Sequence, residues 1–381
     1  MRRQLAHLTA ALAAAIGSLG LVAGAALAAG SDTVSVATVT TPLTSIPTTS
    51  TPTTSTPTTS TPTTTTPTTP TTTPTTTTPP TPAPKPAVKG KATLYLVGTF
   101  TVGRSAVTVP KRTVQVDGYV RPYVAGQTVE VKSFVGRRLF KTDHLRVKPS
   151  ANHAVGRFTE TLQSPAAGVV RVEVTHTRTA QMLGFFAERA FSALDTNVGF
   201  GASGTFVTLL QQRLAALHVY VPQTGVYDTQ TGLALDAYHR LLGWGEGNQS
   251  VDAKTVAALL DGQGVFHVRY PGNGTHAEGD LSDQVLALIN GSKVYRLYPI
   301  SSGKPSTPTI LGNFRVYYRV PGYLPDGMYF SSFFYSGYAI HGYDPAPDYP
   351  ASHGCMRLPI IDAIGVFDWL NYGDWVDVYY T

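Results

Sequence analysis

The chain has 381 residues and one cysteine, Cys355, set in "YAIHGYDPAPDYPASHGCMRL" (Tyr338 to Leu358) downstream of two histidines, His341 and His353. A free thiol has a pKa of about 8.5, so little of it is the nucleophilic thiolate at neutral pH. An adjacent base or cation raises that reactivity, and imidazole exchanges its proton near neutrality. His353 stands two residues before Cys355, which puts the two side chains on one face of an extended segment. His341 has to be delivered by the tertiary fold. Gly354 allows the backbone to come close to a substrate, and the N–H groups of Gly354 and Cys355 are candidates to stabilise an oxyanion. The parts of acyl transfer therefore lie between His341 and Cys355. The same two imidazoles and thiol are also a feasible zinc set with one open position, so a metalloenzyme is a rival reading.

The elements that must position these groups follow from pattern. Residues 265–381 read as β-rich, with strands expected at "DQVLALIN", "SKVYRLYPISSG", "GNFRVYYRV" and "DWVDVYY". One helix is expected after the cysteine, because Pro359 suits a first helical position and Ile360, Ile364, Phe367 and Leu370 form an apolar stripe. Cys355 would then lie in the loop just ahead of a helix, where free N–H groups and the positive dipole end favour a thiolate. Tyr329, Phe333, Tyr335 and Tyr338 suit either a substrate groove or a core. Ser352 is expected to bond locally. Arg357 is expected either in an ion pair or as a receptor for a substrate carboxylate.

Three ordered blocks carry a family resemblance: "SSGKPSTPTILGNFRV" (301–316), "GMYFSSFFYSGYAIHG" (327–342), and Ser352-His353-Gly354-Cys355-Met356-Arg357. Together, over residues 265–381, they resemble the L,D-transpeptidase catalytic domain of the YkuD type. Met356 departs from the branched aliphatic residue usual there, and only a packing change is expected from it. The resemblance implies a thiol acyltransferase of bacterial cell-wall peptides. Cys355 would attack the carbonyl of the third residue of a tetrapeptide stem, expel the terminal D-alanine, and pass the acyl group to an amine of a neighbouring stem, giving a 3→3 crosslink. It implies His341 as general base with its ring oriented by the carbonyl of Gly342, and His353 as a pocket residue assisting electrostatically. Tyr329, Tyr338, Ser352 and Arg357 are its candidate substrate contacts, and Lys304 matches a family position without an assigned role. Neither a metal nor an organic cofactor is implied, and Cys355 is expected to be the residue that carbapenems acylate.

The rest of the chain frames this domain. Arg2 and Arg3 followed by an apolar run from Leu8 to Leu27 and a small-x-small end at Ala26-Leu27-Ala28 read as a secretory signal peptide over residues 1–28, with an uncleaved anchor as the alternative. After processing no stable membrane span is expected. Residues 29–88 are dominated by Thr, Pro and Ser; such a segment cannot bury enough apolar surface to offset ordering, so a disordered, extended linker is expected. Residues 89–180 alternate in the manner of short antiparallel strands, as in "RTVQVDGYV" and "GVVRVEVTHT", and suggest an all-β, immunoglobulin-like sandwich without paired cysteines. In it His144, His153 and His176 read as surface or packing residues, and Arg137, Arg138 and Lys141 as a solvated face.

Over residues 196–262 the period becomes helical. Val207, Leu210, Leu214 and Leu217 share a face of a helix with Ser203 as its expected cap, and Asp228 and Asp252 are expected to cap two more. Val207, Leu210, Gln211, Leu214, Gly225, Tyr227, Thr231, Ala234 and Tyr238 resemble the pattern of the three-helix peptidoglycan-binding domain, with His239 where that family commonly has glutamine.

The expected fold class is thus multidomain: a β-sandwich, a small three-helix bundle and a C-terminal β-rich catalytic domain. The formal net charge of +6, without a dense Lys/Arg run, fits attraction to anionic wall polymers better than nucleic-acid recognition. Expected partners are peptidoglycan stems and glycan, with no nucleic acid, at the extracytoplasmic face of a bacterium. Two rival functions remain: hydrolysis of the same thioester by water, and a wall-binding protein without catalysis.

Overall fold

A computed structural model describes residues 85–381, which lie within one compact unit, Pro80–Thr381. The expected signal peptide and nearly all of the Thr/Pro-rich linker lie outside the described residues. Val88, assigned to the end of that linker, already forms a β-bridge with Met182.

Ten strands precede the helices. They are β1 (Lys91–Val97), β2 (Phe100–Val102), β3 (Ser105–Thr108), β4 (Thr113–Arg121) and β5 (Thr128–Val135). Then come β6 (Arg138–Arg146), β7 (Lys148–Pro149), β8 (Gly156–Gln163), β9 (Gly168–His176) and β10 (Phe185–Ala193). They form two sheets, ordered β1-β4-β8-β7 and β2-β3-β10-β9-β5-β6. Strict alternation selects the inner faces: every second residue of β8 is buried. Val116, Val120 and Phe158 of one sheet share a core with Val131, Val172 and Val174 of the other. The β region runs past residue 180, the boundary set from the sequence. β10 pairs with β9 from Phe185↔His176 to Ala193↔Gly168, although "FFAERAFSA" has no β-branched residue to mark it.

Three helices follow: α1 (Thr205–Ala216), α2 (Thr229–Leu241) and α3 (Ala253–Leu260). Asp228 accepts a bond from the Thr231 N–H at 2.9 Å and Asp252 one from the Thr255 N–H at 2.7 Å, which starts α2 and α3. Ser203 does not cap α1. The cap position is Gly204, at φ 133°, and Ser203 is drawn instead into a bridge with Val226. The helices do not close a core of their own. Val207, Leu214 and Tyr238 pack in one cluster with Val285, Ala287, Ile289 and Leu297 of the C-terminal region. On the other side Phe206, Leu209 and Val256 pack with Val107 and Val109.

The C-terminal region is β-rich, with few helices. Its elements are β11 (Thr275–Asp280), β12 (Val285–Asn290), β13 (Lys293–Pro299), β14 (Gly312–Arg315) and β15 (Tyr318–Tyr323). They continue with β16 (Tyr329–Tyr335), β17 (Tyr338–Tyr343), β18 (Met356–Pro359), α4 (Ala363–Trp369) and β19 (Trp375–Tyr379). Two sheets result, β13-β12-β11-β19-β14 and β15-β16-β17-β18. The segment "GNFRVYYRV", read as one strand, divides: β14 pairs with β19 and β15 with β16, in different sheets. Leu286, Leu288 and Tyr298 of the first sheet meet Phe334, Ile340, Met356 and Leu358 of the second in a shared core, with Val366 and Leu370 closing it.

The helix expected to begin at Pro359 starts as a 3-10 turn, with the α-helix only from Ala363. Met356–Pro359 is a strand, Pro359 is the cap of a single 3-10 turn over Ile360–Asp362, and α4 follows. Its buried stripe is Ala363, Val366 and Leu370, whereas Ile364 is exposed. Among the described residues no helix is long and apolar enough to cross a membrane.

Candidate active site

β17 forms a hairpin with β16 and runs parallel to β18, in the register Ile340↔Met356 and His341↔Arg357. Ile340, Met356 and Leu358 point into the apolar core. Period-two alternation therefore turns His341 and Arg357 to the opposite face, and Cys355, in the bend just before β18, lies beside Ala339. This parallel pairing sets the loop that carries Cys355 beside the strand that carries His341, a delivery that no local pattern signals.

Cys355 is half-buried. Its Sγ lies 3.5 Å from the Gly337 carbonyl oxygen, and the Ala339 N–H points at it. Burial pushes the thiol pKa up, and the Ala339 N–H and the Arg357 charge offset that only in part. His341 is buried, and its Nδ1 lies 2.9 Å from the Gly342 carbonyl oxygen. A carbonyl only accepts, so Nδ1 carries the proton and Nε2 presents a free lone pair. Burial pushes His341 down to about 4, against the opposing pull of the Gly342 carbonyl. The sulfur's partners are thus backbone groups and neither imidazole. Burial thus holds both the thiol and the imidazole toward their neutral forms.

The dipole expected to assist the thiol is absent, because β18 separates Cys355 from α4. Of the two amides expected to hold an oxyanion, that of Gly354 donates to Ser352 Oγ at 2.9 Å. The Cys355 N–H is the one not used in this way. Ser352, fully buried, also donates from Oγ to the Cys355 carbonyl at 2.6 Å, so it braces the loop from inside. Gly354 has φ 121°, and a Cβ there would meet the Tyr338 ring at 2.4 Å. Only glycine lets that ring lie against the loop.

The remaining expected residues divide. Tyr338 is beside the cysteine loop; Tyr329 pairs with Gly342 at the other end of β16, packed on Tyr323 and Phe330. His353 does not share a strand face with Cys355, since residues 353–355 form a bend. It is exposed, with Nε2 3.4 Å from Lys304 Nζ. The guanidinium of Arg357 stacks 4.0 Å from the Tyr343 ring centre and reaches the Ala351 carbonyl at 3.5 Å, and among the described residues it has no ion-pair partner. His341, His353 and Cys355 do not converge as metal ligands. Among the described residues the group that does is His276, Glu278 and Asp377, whose ligand atoms lie within 4.8 Å of one another on the other sheet.

Sequence reasoning missed Arg240. This α2 residue is 3% exposed. Nη2 donates to Asp236 Oδ2 at 2.6 Å and to the Asp348 carbonyl at 3.1 Å, and Nη1 donates to the carbonyls of Gln284 and Ile300 at 2.9 and 2.8 Å. The chain of bonds continues. Gln284 Oε1 accepts from the Ser302 N–H, and the Ser302 carbonyl accepts from both the Ala351 and Ser352 N–H groups at 2.9 Å. Ser301 and Arg357 exchange two backbone bonds of 2.9 Å. A helix outside the C-terminal sheets is therefore wired to the loop that carries Cys355. The only local signal was an Asp and an Arg four apart, which ordinarily marks a solvated helix face.

With this geometry in place, comparisons with known proteins are informative. Residues 274–378 match the YkuD family, the L,D-transpeptidase catalytic domain. No curated protein sequence matches the chain. Among solved structures, the L,D-transpeptidase (residues 123–326) of Xylanimonas cellulosilytica is 28% identical, covering 49% of this chain and 98% of that one, with a TM-score of 0.44. The catalytic domain of the Enterococcus faecium L,D-transpeptidase is also 28% identical, covering 28% of this chain and 98% of that one, with a TM-score of 0.25. An L,D-transpeptidase of Stackebrandtia nassauensis is 18% identical, covering 48% and 95%, with a TM-score of 0.31.

Proposed function

We propose that the C-terminal region is a cysteine acyltransferase that joins wall stem peptides by 3→3 crosslinks. The family match over residues 274–378 supports the reaction class, peptidoglycan stems as substrates and an extracytoplasmic location. The observation that carries the mechanism is the His341 ring, fixed through Nδ1 by Gly342 so that Nε2 is the available base, on the strand that runs beside β18, which Cys355 directly precedes.

The neutral resting pair sets the order of events. As Sγ forms its bond to the stem carbonyl, its proton passes to His341 Nε2, so ionisation accompanies attack. The tetrahedral oxyanion is held by the Cys355 N–H. Collapse breaks the carbonyl C–N bond, and the departing D-alanine amine takes the proton from His341. An acceptor amine then attacks the thioester and gives its proton to His341; the new amide forms, the C–S bond breaks, and the thiol is reprotonated. Tyr338 lines the approach to the loop, and Arg357 lowers the energy of developing negative charge nearby. Lys304, with the His353 ring beside it, forms a polar rim that receives stem carboxylates. Carbapenems acylate the same sulfur. The three helices hold wall glycan near the site, and the segment preceding residue 89 extends the enzyme into the wall after export.

Intact-mass analysis of the wild type and Cys355→Ala, incubated with tetrapeptide stem and an acceptor amine, tests this. The wild type should gain the donor acyl mass minus D-alanine and release a crosslinked dimer, and Cys355→Ala neither. Dimer formation by Cys355→Ala would overturn the reading, and tripeptide without dimer would replace crosslinking by hydrolysis.

A further inference from the structure

The solvent face of the β1-β4-β8-β7 sheet carries charges of nearly one sign. Alternation buries Ala92, Leu94, Val116, Val120 and Phe158, so the residues between them face outward. Across the strands, Lys91 pairs with Arg121, and Tyr119 pairs with Arg157, which in turn pairs with Lys148. Tyr95 is 56% exposed and stands edge-on to Tyr119 at 5.6 Å. The guanidinium of Arg157 sits 5.5 Å from the Tyr119 ring centre. One groove, of about 490 Å³, lies on this face and is lined by Lys91, Tyr95, Tyr119 and Arg121; a second, of about 540 Å³, lies at its β7 edge, where Arg146 of the other sheet joins Lys148 and Arg157. Neither lining includes an acidic residue. The acid in the next row, Asp117, is held by Gln115 Nε2 at 3.0 Å and Thr159 Oγ1 at 2.9 Å. None of the five cations has an ion-pair partner among the described residues.

We propose that this face binds a phosphodiester-linked glycopolymer of the cell wall. Three guanidinium groups and two ammonium groups without counter-charges call for a polyanion, and the guanidinium fork matches two phosphate oxygens at once. Two adjacent tyrosine rings present flat apolar surface to sugar faces, a feature a plain ion exchanger lacks. Four strands about 4.8 Å apart make a face roughly 15 Å wide, which suits several repeats of a polymer rather than one sugar. The site is remote in sequence from Cys355 and uses none of its groups; it rests on the proposed function for the wall location alone.

Titration of the full chain with purified wall teichoic acid at several salt concentrations provides the test, against Arg121→Ser/Arg157→Ser, Tyr95→Ala and Cys355→Ala. Wild type and Cys355→Ala should bind alike. The double arginine variant should bind at least about tenfold more weakly, with a salt slope smaller by about two, one for each lost phosphate contact. Tyr95→Ala should weaken binding with the slope unchanged. These side chains are on the outer face, so the unfolding temperature and the rate of Cys355 alkylation should stay at wild-type values. Unchanged binding by the double variant overturns the proposal. So does equal affinity for a DNA duplex at matched charge, since that would make the face a generic cation patch.

Discussion

Arg240 and His276 are both cationic groups shut away from water, yet they hold different things. Arg240 has one charged partner, Asp236, and three backbone carbonyls, all three in the C-terminal region. From those carbonyls the bonds lead to Ser302, Ser352 and the Cys355 loop. His276 bonds the Gly274 carbonyl through Nδ1 at 2.8 Å and Glu278 through Nε2 at 3.2 Å. Since Nδ1 faces an acceptor and Nε2 a carboxylate, the ring is doubly protonated. Glu278 in turn accepts from the Arg269 and Tyr270 N–H groups and from the Tyr379 hydroxyl. This second network ties down the segment joining α3 to β11, on the sheet that lacks the cysteine. Similar burial and charge thus serve the geometry of the Cys355 loop in one place and attachment of a connecting segment in the other.

The comparison is sharpest under truncation. Glu278→Ala removes the counter-charge of a buried imidazolium and strands two backbone donors, so it should destabilise by about 3–5 kcal/mol. Where the variant is folded, its single-turnover acylation rate should remain within about twofold of wild type. Denaturant unfolding and mass-detected acylation measure the two quantities. Arg240→Lys should show the reverse. A single ammonium with three donors cannot reproduce four bonds made by a planar fork, so at least one carbonyl is released. Turnover should fall about tenfold, or ~1.4 kcal/mol in the barrier, with a smaller loss of stability and little change in KM. Equal losses of turnover in both variants would break the distinction.

The two sites also differ in how protons act on them. Burial opposes charge on His276, but Glu278 and the Gly274 carbonyl outweigh it and raise its pKa above the ordinary 6.5. Burial likewise opposes charge on Glu278, but His276, Tyr379 and two N–H groups lower it below 4.5. The His276 contribution is complete below 6.5 and is lost as pH rises through the raised folded value. The Glu278 contribution is complete above 4.5 and is lost as pH falls through the lowered one. This network should stabilise most between those two pH values. His341 runs the other way. Its ring, held down to about 4, refuses a proton that the unfolded chain accepts, so stability declines as pH falls below 6.5. Unfolding curves from pH 4 to 9 should show losses at both ends, and His276→Gln should flatten the alkaline loss while keeping the part due to His341.

Sequence reading succeeded where pattern is local: the aspartate caps of α2 and α3 are short-range features, and so is the Ser-His-Gly-Cys block within the family match. It failed where the decisive contact is distant. "MRLP" gives no hint that it is a strand parallel to β17, and that strand is what separates the thiol from the helix dipole. His353 was placed beside Cys355 by a two-residue count that holds in a strand and not in a bend with a left-handed glycine. Arg240 was invisible because an acid and a base four apart look the same whether water or another domain covers them.

The smallest expected effect concerns that misplaced histidine. His353 is exposed and its ring nitrogen faces Lys304 rather than the sulfur, so it cannot set the thiol's proton affinity. Raised by burial, the Cys355 thiol should be alkylated by iodoacetamide at a rate that keeps rising with pH through the thiol's ordinary range. A thiolate stored beside an imidazolium would instead give a plateau near neutrality. His353→Gln keeps a polar rim and should leave that pH profile unchanged, lowering affinity for a carboxylate-bearing stem by no more than about threefold. A downward shift of the alkylation profile in the wild type, lost in His353→Gln, would place the second imidazole at the sulfur and erase the contrast between a buried base and an exposed rim.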